Sequence, residues 1–404
     1  VNEPSIEDSI TILEGLKSKY EEYHGVKYSK SAITSAVELS KKYITDRFLP
    51  DCAIDVIDEV GASKKILLAS ELKTKSEKNI TITHKDVETT IAKMAHIPAK
   101  SATKSDLTLL KSLEKNMQKR VFGQDIAITT IVQSIKRNKA GLGLDKKPIG
   151  SFLFTGPTGV GKTEVAKELS AQLGIHFERF DMSEYMEAHT ISRLIGAPAG
   201  YVGFEQGGLL TEAIRKHPHT VLLLDEIEKA HPDLMSILLQ VMDNAELTDN
   251  SGNKADFQNV VLIMTSNLGA TEANVMGFAK NEKLNENKAI NKFFAPEFRN
   301  RLDSVVTFDS LSIDIVAKVA GKFIEDLEKQ LVDKKIKIEI SAKAKKELAS
   351  LGYDKAMGAR PLNRVISDKI KNPLTDEILF GKLKKGGFVK IDFEKEFIFE
   401  FKSL

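Results

Sequence analysis

An apolar run that stops at a glycine-rich loop and then continues as a helical pattern is the most constraining feature of this sequence. Residues 150–173 read GSFLFTGPTGVGKTEVAKELSAQL. The segment GPTGVGKT matches the pattern G-x-x-x-x-G-K-[ST], whose small residues let backbone N–H groups curl around a polyphosphate at the start of a helix. Strand, loop and helix in this order predict a nucleotide phosphate site.

The loop and the first turn of the following helix supply the predicted nucleotide contacts. The lysine would neutralise the β- and γ-phosphates of ATP, and Thr163 would ligate Mg²⁺. The predicted contact residues are Gly156, Pro157, Thr158, Gly159, Val160, Gly161, Lys162, Thr163 and Glu164.

A second apolar run ends in two acidic residues. The stretch TVLLLDE (220–226) reads as a buried strand followed by Asp225 and Glu226. Asp225 can meet Mg²⁺ through its water shell, and Glu226 can polarise the attacking water as a general base. Asn267 ends another apolar run, where its amide either orients that water or forms a turn. The cofactors expected from these residues are ATP and Mg²⁺.

Short apolar runs alternate with helical stretches from about residue 107 onward. These runs are continuous rather than alternating, which predicts an α/β fold with a parallel sheet covered by helices on both faces. The predicted strands are 151–155, 176–182, 220–226, 259–267 and 304–310. The flanking regions read as mostly helical, with a helix pair over 48–72, helix over 311–352 and a hairpin over 384–401.

Composition excludes several classes of protein. The chain has 404 residues, and its 59 basic and 57 acidic side chains leave a formal net charge of +2, with no sign of general nucleic-acid binding. One cysteine, Cys52, excludes an internal disulfide framework and fits a reducing cytosol. No apolar run reaches the roughly 18 residues of a membrane span, and we expect no signal peptide. We therefore expect a cytoplasmic protein without membrane or nucleic-acid partners, and, since Val1 lies in a helical pattern, part of a longer chain.

The order of these motifs resembles that of AAA+ ATPases, and their sequences resemble those of the Clp unfoldases. PEFRNRLD (296–303) is similar to the Clp segment that carries the arginine finger, which implies that Arg301 projects into the site of a neighbouring subunit. MGARPLNRVI (357–366) resembles the sensor-2 motif and implies that Arg360 lies over the phosphates.

The resemblance also implies a domain organisation. VFGQ (121–124) resembles the segment that packs on adenine, which implies contacts from Val121 and Phe122. KYITDRFLPDCAIDVIDEVGA is similar to the small domain of a first Clp ATPase module. The implied domains are a helical small domain with linker (1–104), a P-loop large domain of the second module (105–310) and an α+β lid (311–404).

Two loops resemble Clp segments that contact other proteins. In GAPAGYVGFEQGG, the resemblance implies a pore loop in which Tyr201 and Val202 grip a translocating polypeptide. A lone apolar tripeptide resembles the tip that plugs a pocket on the ClpP peptidase, and its residues are Met276, Gly277 and Phe278. The stretch 246–259 resembles the second pore loop, although the family usually has arginines where this chain has Asn253 and Gln258.

The resemblance implies an ATP-driven unfoldase of the ClpA branch, because the long coiled-coil insertion of ClpB disaggregases is missing. Such a protein would form a homo-hexamer and thread unfolded or tagged substrates, with or without an adaptor, into a ClpP-type peptidase. Three alternatives stay open at this point: a disaggregase that works without a peptidase, a nucleotide-gated assembly scaffold, and, more distantly, a DNA-directed AAA+ protein such as a clamp loader.

Overall fold

The computed structural model describes residues 3–44, 47–71, 81–94, 105–144, 146–196, 207–268, 282–354 and 357–403. The chain separates into two compact units. One holds residues 1–111 with 173–176, and the other holds residues 112–172 with 177–404. The predicted domain boundaries at residues 104 and 310 stay predictions.

The first unit is a small helical bundle with a two-stranded parallel sheet. Its elements are α1 (Ile6–His24), β1 (Lys27–Tyr28), α2 (Lys30–Tyr43), α3 (Asp51–Glu71), β2 (Thr81–Ile82) and α4 (His84–Met94). Serine side chains cap two of the helices: the Ser5 hydroxyl accepts from the Asp8 N–H at 3.1 Å, and the Ser29 hydroxyl accepts from the Ala32 N–H at 3.2 Å. The buried core includes Leu13, Ile33, Val37, Val56, Ile57 and Ile91.

The helix pair predicted over 48–72 is wrong, because one continuous helix, α3, occupies this stretch. Pro50 lies just before the first helical residue, where proline does not interrupt the helix. Gly61 lies inside the helix and serves packing. A Cβ at Gly61 would lie 2.4 Å from the Tyr28 hydroxyl oxygen and 2.5 Å from Cδ2 of His24. The missing side chain therefore lets these two rings approach α3 closely.

The second unit is built on a five-stranded parallel sheet, which confirms the predicted fold class. Its strands are β3 (Gly150–Thr155), β4 (His176–Asp181), β5 (Thr220–Asp225), β8 (Val260–Thr265) and β9 (Ser304–Thr307), in the spatial order β4-β5-β8-β3-β9. Every residue of β3 and β8 is buried, as expected for strands covered on both faces. The runs predicted over 259–267 and 304–310 are shorter as strands, because their last residues form loops at the edge of the sheet.

Helices cover this sheet. They are α5 (Ser105–Arg120), α6 (Asp125–Arg137, continued by a π-helical turn, Asn138–Leu142), α7 (Lys162–Leu173), α8 (Ala188–Ile195), α9 (Leu209–Lys216), α10 (Asp233–Asn244), α11 (Glu282–Phe293) and α12 (Pro296–Arg299). Short 3₁₀ turns span Met182–Glu184 and Ile227–Lys229, and β6 (Glu246–Thr248) pairs with β7 (Lys254–Asp256) as a hairpin.

The C-terminal part of the second unit, from Ile313 onward, is the segment predicted to be the lid, and it keeps that name below. Its elements are α13 (Ile313–Gln330), a 3₁₀ turn (Val332–Lys334), β10 (Ile336–Ile340), α14 (Ala342–Gly352), α15 (Leu362–Ile366), a π-helical turn (Ser367–Lys371), α16 (Asn372–Leu379), β11 (Gly387–Phe393) and β12 (Phe397–Ser403). The hairpin β11–β12 agrees with the prediction. The helical prediction over 311–352 misses β10, which pairs in parallel with β11. Its sequence, IKIEI, alternates apolar and polar residues as a half-buried strand does.

The sheet order brings the candidate site together. In parallel strands the carboxyl ends share one edge of the sheet, and ligands of such folds bind there. The three central strands β5, β8 and β3 are adjacent, so Asp225, Thr265 and the loop after Thr155 meet at that edge.

Candidate functional site

A cavity of about 330 Å³ opens at the carboxyl edge of the sheet, below the lid. It is lined by five groups of residues that are far apart in the chain: the phosphate loop and α7, β4, the ends of β5 and β8, the segment before α6, and the lid. Of the predicted residues, those lining it are Val121, Phe122, Thr158, Gly159, Val160, Gly161, Lys162, Thr163, Glu164, Asp225, Glu226, Asn267 and Arg360.

Gly156 and Pro157 belong to the loop but do not line the cavity. Gly156 instead packs against the backbone after β9, where an added Cβ would lie 2.3 Å from the Phe308 carbonyl oxygen. Lys162, the first residue of α7, donates from Nζ to the carbonyl oxygens of Gly156 at 2.5 Å, Pro157 at 3.3 Å and Ser266 at 2.8 Å. The ammonium group is thus held against the loop and the end of β8, on the wall where a polyphosphate would lie.

The carboxylate of Asp225 is fixed by two neighbouring strands. Its Oδ1 accepts from the Thr265 hydroxyl on β8, and its Oδ2 accepts from Arg179 on β4, at 3.0 Å from Nε and 2.7 Å from Nη2. The side chain of Asp225 is only 13% exposed. The guanidinium and the hydroxyl hold this nearly buried carboxylate in a fixed orientation at the cavity.

Glu226 follows directly and has a left-handed backbone, with φ 57° and ψ 50°. This conformation is uncommon for a residue with a side chain, and such strain clusters at functional sites. The Glu226 N–H donates to the Thr265 hydroxyl at 3.0 Å, so one threonine braces both acidic residues. The Glu226 carboxylate forms an ion pair with Lys229, and this contact raises the pKa of Lys229.

The lid contacts the phosphate loop through backbone atoms. The Ala359 N–H donates to the Gly159 carbonyl oxygen at 3.1 Å. Gly159 has φ 74°, and a Cβ there would lie 2.0 Å from the Met357 carbonyl oxygen. This close approach carries Arg360, an exposed side chain, to the rim of the cavity.

The segment before α6 closes another wall. Val121 and Phe122 line the cavity together with Leu311, Val319 and Phe323 of the lid region, an apolar surface suited to a flat aromatic ring. Gln124, two residues after Phe122, is buried, and its amide donates to the carbonyl oxygens of Val160 at 3.2 Å and Asp309 at 2.9 Å. Gln124 therefore ties this wall to the phosphate loop.

Asn267 lies at the cavity, two positions beyond the end of β8. Its N–H lies 3.3 Å from Oε1 of Glu228, which belongs to the turn after Glu226. This bond joins the end of β8 to the turn that follows the acidic pair.

Arg301 does not line this cavity. Its Nε lies 2.6 Å from each carboxylate oxygen of Asp243, and Nη1 donates to the Glu297 carbonyl oxygen at 2.8 Å. The side chain is 32% exposed. The structure therefore separates Arg301 from the other predicted catalytic residues of the same chain.

Sequence reasoning missed several polar side chains of the site, and three of them make contacts that shape it. Arg179 binds Asp225, Thr265 braces the acidic pair, and Lys322 of the lid donates to Glu164 at 2.7 Å and to the Arg120 carbonyl oxygen at 3.0 Å. Neither Arg179 nor Lys322 belongs to a recognisable motif. A usable signal existed only for Thr265, a polar residue near the end of the predicted strand 259–267.

Four of the predicted side chains, and one predicted glycine, lie outside the described residues. They are the pore-loop residues Tyr201 and Val202 and the tripeptide Met276, Gly277 and Phe278. The second predicted pore loop is described: it is the hairpin β6–β7, where the Asn253 amide donates to Asp249 at 3.1 Å. Asn253 therefore holds the hairpin turn.

Comparisons with known proteins agree with this geometry. Residues 147–305 match the AAA domain (Cdc48 subfamily), residues 5–119 an AAA lid domain, and residues 311–391 the C-terminal D2-small domain of ClpB protein. A ClpA homolog protein of Fuscovulum blasticum is 54% identical over 394 residues, which are 97% of this chain and 49% of that protein. A cryo-EM reconstruction of closed-state Hsp104 with ATPγS and FITC-casein matches with a TM-score of 0.75 at 34% identity, over 99% of this chain and 69% of that one.

The chain belongs to the Clp family of AAA+ ATPases. Another Clp relative, the ATP-dependent Clp protease ATP-binding subunit ClpE of Streptococcus pneumoniae serotype 4, is 40% identical over 430 residues, covering 94% of this chain and 57% of that protein. This Clp chain thus spans about half the length of the curated relatives it matches. The predicted AAA+ ATPase module is confirmed. None of the described helices of this Clp chain is long and apolar enough to span a membrane.

Proposed function

We propose that this chain is the ATP-hydrolysing motor of a cytoplasmic Clp unfoldase that threads polypeptides into a ClpP-type peptidase. The observation that carries the proposal is the cavity itself. It collects the phosphate loop, the acidic pair and a lid arginine, which are the three parts that a phosphoryl-transfer site needs for binding, water activation and charge neutralisation.

ATP would bind with its base against Val121 and Phe122 and its phosphates along the loop after β3. Lys162 would exchange backbone carbonyls for phosphate oxygens, and Arg360 would contact the phosphates from the lid. Thr163 and Asp225 would hold Mg²⁺, since hydroxyl and carboxylate oxygens are the ligands this ion prefers. Asp225 fits that role because Thr265 and Arg179 hold its carboxylate at the cavity. When bound, Mg²⁺ neutralises charge that develops on the phosphate oxygens.

Hydrolysis would begin with a water placed by the Asn267 amide in line with the γ-phosphate. Glu226 accepts a proton from this water while the oxygen of the water bonds to the γ-phosphorus. The bond to the β–γ bridging oxygen breaks, which releases ADP and phosphate. Because Glu226 is paired with Lys229, its carboxylate must leave this partner to reach the water.

A phosphoryl-transfer site is accelerated when an arginine of a neighbouring subunit adds positive charge at the γ-phosphate. Arg301 lies outside the cavity, so we propose that it acts as an arginine finger in the site of the next subunit of a homo-hexamer. An arginine supplied in this way contributes on the order of 10³-fold or more to the hydrolysis rate. Hydrolysis would then depend on ring assembly.

Coupling to protein substrates would use the loops predicted from the sequence. Tyr201 and Val202 would grip an unfolded or tagged polypeptide in the central pore, with adaptors selecting some substrates. Met276, Gly277 and Phe278 would dock on the peptidase. Relatives named as Clp protease ATP-binding subunits support a peptidase partner. The reconstruction of Hsp104 with FITC-casein supports binding of a polypeptide, and the alternative, a disaggregase that needs no peptidase, stays open. Residues 1–104 would be the small domain of a preceding ATPase module, as the lid match over residues 5–119 supports.

The proposal is tested by ATP turnover of the wild type, Glu226→Gln and the matched control Glu212→Gln, an exposed residue on α9. We expect Glu226→Gln to bind ATP but to hydrolyse it at least 10²-fold more slowly, and the control to match the wild type. Equal, near-zero rates in all three proteins would favour a nucleotide-gated scaffold instead.

A second experiment separates the peptidase-linked motor from the disaggregase. Degradation of an unfolded model substrate is measured with ClpP, using the wild type and a variant that lacks residues 276–278. We expect the deletion to abolish degradation while ATP turnover persists. If the wild type reactivates aggregates and gives no degradation with ClpP, the disaggregase is the correct function.

A further inference from the structure

The carboxylate of Asp243 holds the guanidinium of Arg301 in a defined orientation. Both oxygens of Asp243 lie 2.6 Å from Nε of Arg301, and the Glu297 carbonyl oxygen takes a hydrogen bond from Nη1 at 2.8 Å. The two side chains are about one-third exposed. Charge-assisted contacts on two sides of the guanidinium fix the plane of the group rather than only its position.

The location of Asp243 is unfavourable for the helix that carries it. Asp243 lies in the last turn of α10, where the negative end of the helix dipole disfavours an acidic side chain. No basic residue of α10 compensates in that turn. Among the ion pairs of the described residues, Asp243 pairs with Arg301. The arginine is therefore the partner that offsets an otherwise poorly placed carboxylate.

The contacts leave one part of Arg301 for another ligand. The guanidinium has five N–H donors, and within the described part of the chain Nε and Nη1 are the nitrogens with hydrogen-bond partners. Nη2 keeps both of its donors. An arginine anchored through Nε and Nη1 presents the Nη2 end to an external anion without first paying to order its side chain.

Helix α10 also connects this anchor with the chain's own acidic pair. The turn Ile227–Lys229 follows Glu226, and α10 begins soon after it at Asp233. A 12-residue helix is rigid and spans roughly 18 Å. Asp243 therefore lies at the end of this helix that is far from the acidic pair.

We propose that Asp243 is a positioning residue that orients Arg301 toward the γ-phosphate bound by the neighbouring subunit. The inference rests on the proposed role of Arg301 as an arginine finger.

The test is a double-mutant cycle in which ATP turnover is measured for Asp243→Ala, Arg301→Ala and the double variant. Asp243→Asn and Asp233→Asn, on the same helix, form a matched pair of test and control. Nucleotide affinity is measured with a fluorescent ATP analogue, and assembly by sedimentation. We expect Arg301→Ala to lower kcat on the order of 10³-fold, and Asp243→Ala to lower it about tenfold without changing nucleotide affinity or assembly. The double variant should match Arg301→Ala, and Asp233→Asn the wild type.

The outcomes are distinguishable. If Arg301→Ala keeps wild-type turnover in assembled rings, the arginine-finger role itself fails. If Arg301→Ala is inactive but Asp243→Ala and Asp243→Asn turn over normally, only the positioning role fails. Additive losses in the double variant, or a loss of assembly with Asp243→Asn, would show that Asp243 acts on the fold and would overturn the inference.

Discussion

Substituting Gly159 by alanine should break the backbone contact between the phosphate loop and the lid. The residue has φ 74°, where a side chain costs about 1–2 kcal/mol. The new Cβ would also lie 2.0 Å from the Met357 carbonyl oxygen, so the two segments must separate by about 1.4 Å to reach ordinary contact. Backbone shifts of this kind cost about 1–3 kcal/mol, and we expect a total loss of about 2–5 kcal/mol.

Gly141 provides the matched control. Its φ is 76°, and nothing lies within 4 Å of the position of an added Cβ. Gly141→Ala therefore carries the backbone cost alone, about 1–2 kcal/mol. The difference between the two variants isolates the collision with the lid.

The assay is urea unfolding of both variants followed by circular dichroism, together with binding of a fluorescent ATP analogue. Gly159→Ala should be less stable than Gly141→Ala and should bind nucleotide about tenfold more weakly or worse, because the lid segment that carries Arg360 is displaced. Gly141→Ala should bind as the wild type does. Equal unfolding free energies and equal affinities in the two variants would refute the close approach of lid and loop.

Two further predictions concern other polar contacts. Lys322→Met removes the bonds to Glu164 and to the Arg120 carbonyl oxygen, and because Glu164 is 49% exposed we expect only about 1 kcal/mol of lost stability in urea unfolding. The loss should be smaller in a Glu164→Gln background, where only the bond to Arg120 remains to be lost, and an undiminished loss there would contradict the pairing with Glu164. Burial acts to raise the pKa of Asp249, but hydrogen bonds, mainly from Asn253 and Thr211, outweigh burial and lower this pKa on folding. The ionised carboxylate therefore stabilises the fold at pH values above the ordinary pKa range of a carboxyl group. Stability should therefore fall as the pH drops through the lowered pKa, and thermal unfolding of Asp249→Asn between pH 6 and pH 3 should show a shallower fall than the wild type.

Much of the site could be predicted from the sequence because its chemistry is local in the chain. The phosphate loop needs only a strand, glycines and a helix start in succession, and Asp225 and Glu226 need only a buried strand that ends at them. Continuous apolar runs were enough for the parallel sheet. Two elements were predicted wrongly. In the single helix α3 a glycine serves packing, and β10 is a short alternating run between helices.

The tertiary structure decided which distant side chains complete the site. The Thr265 hydroxyl meets Asp225 across 40 positions of sequence, Lys322 meets Glu164 across 158, and Lys162 meets the Ser266 carbonyl across 104. The pattern of apolar residues in the sequence does not predict such pairs, because they arise from the order of strands in the sheet and from the docking of the lid. The sequence by itself determined where phosphate chemistry can occur, since that depends on neighbouring residues. Which residues orient and restrain that chemistry was decided only by folding, which brings remote segments to one edge of the sheet.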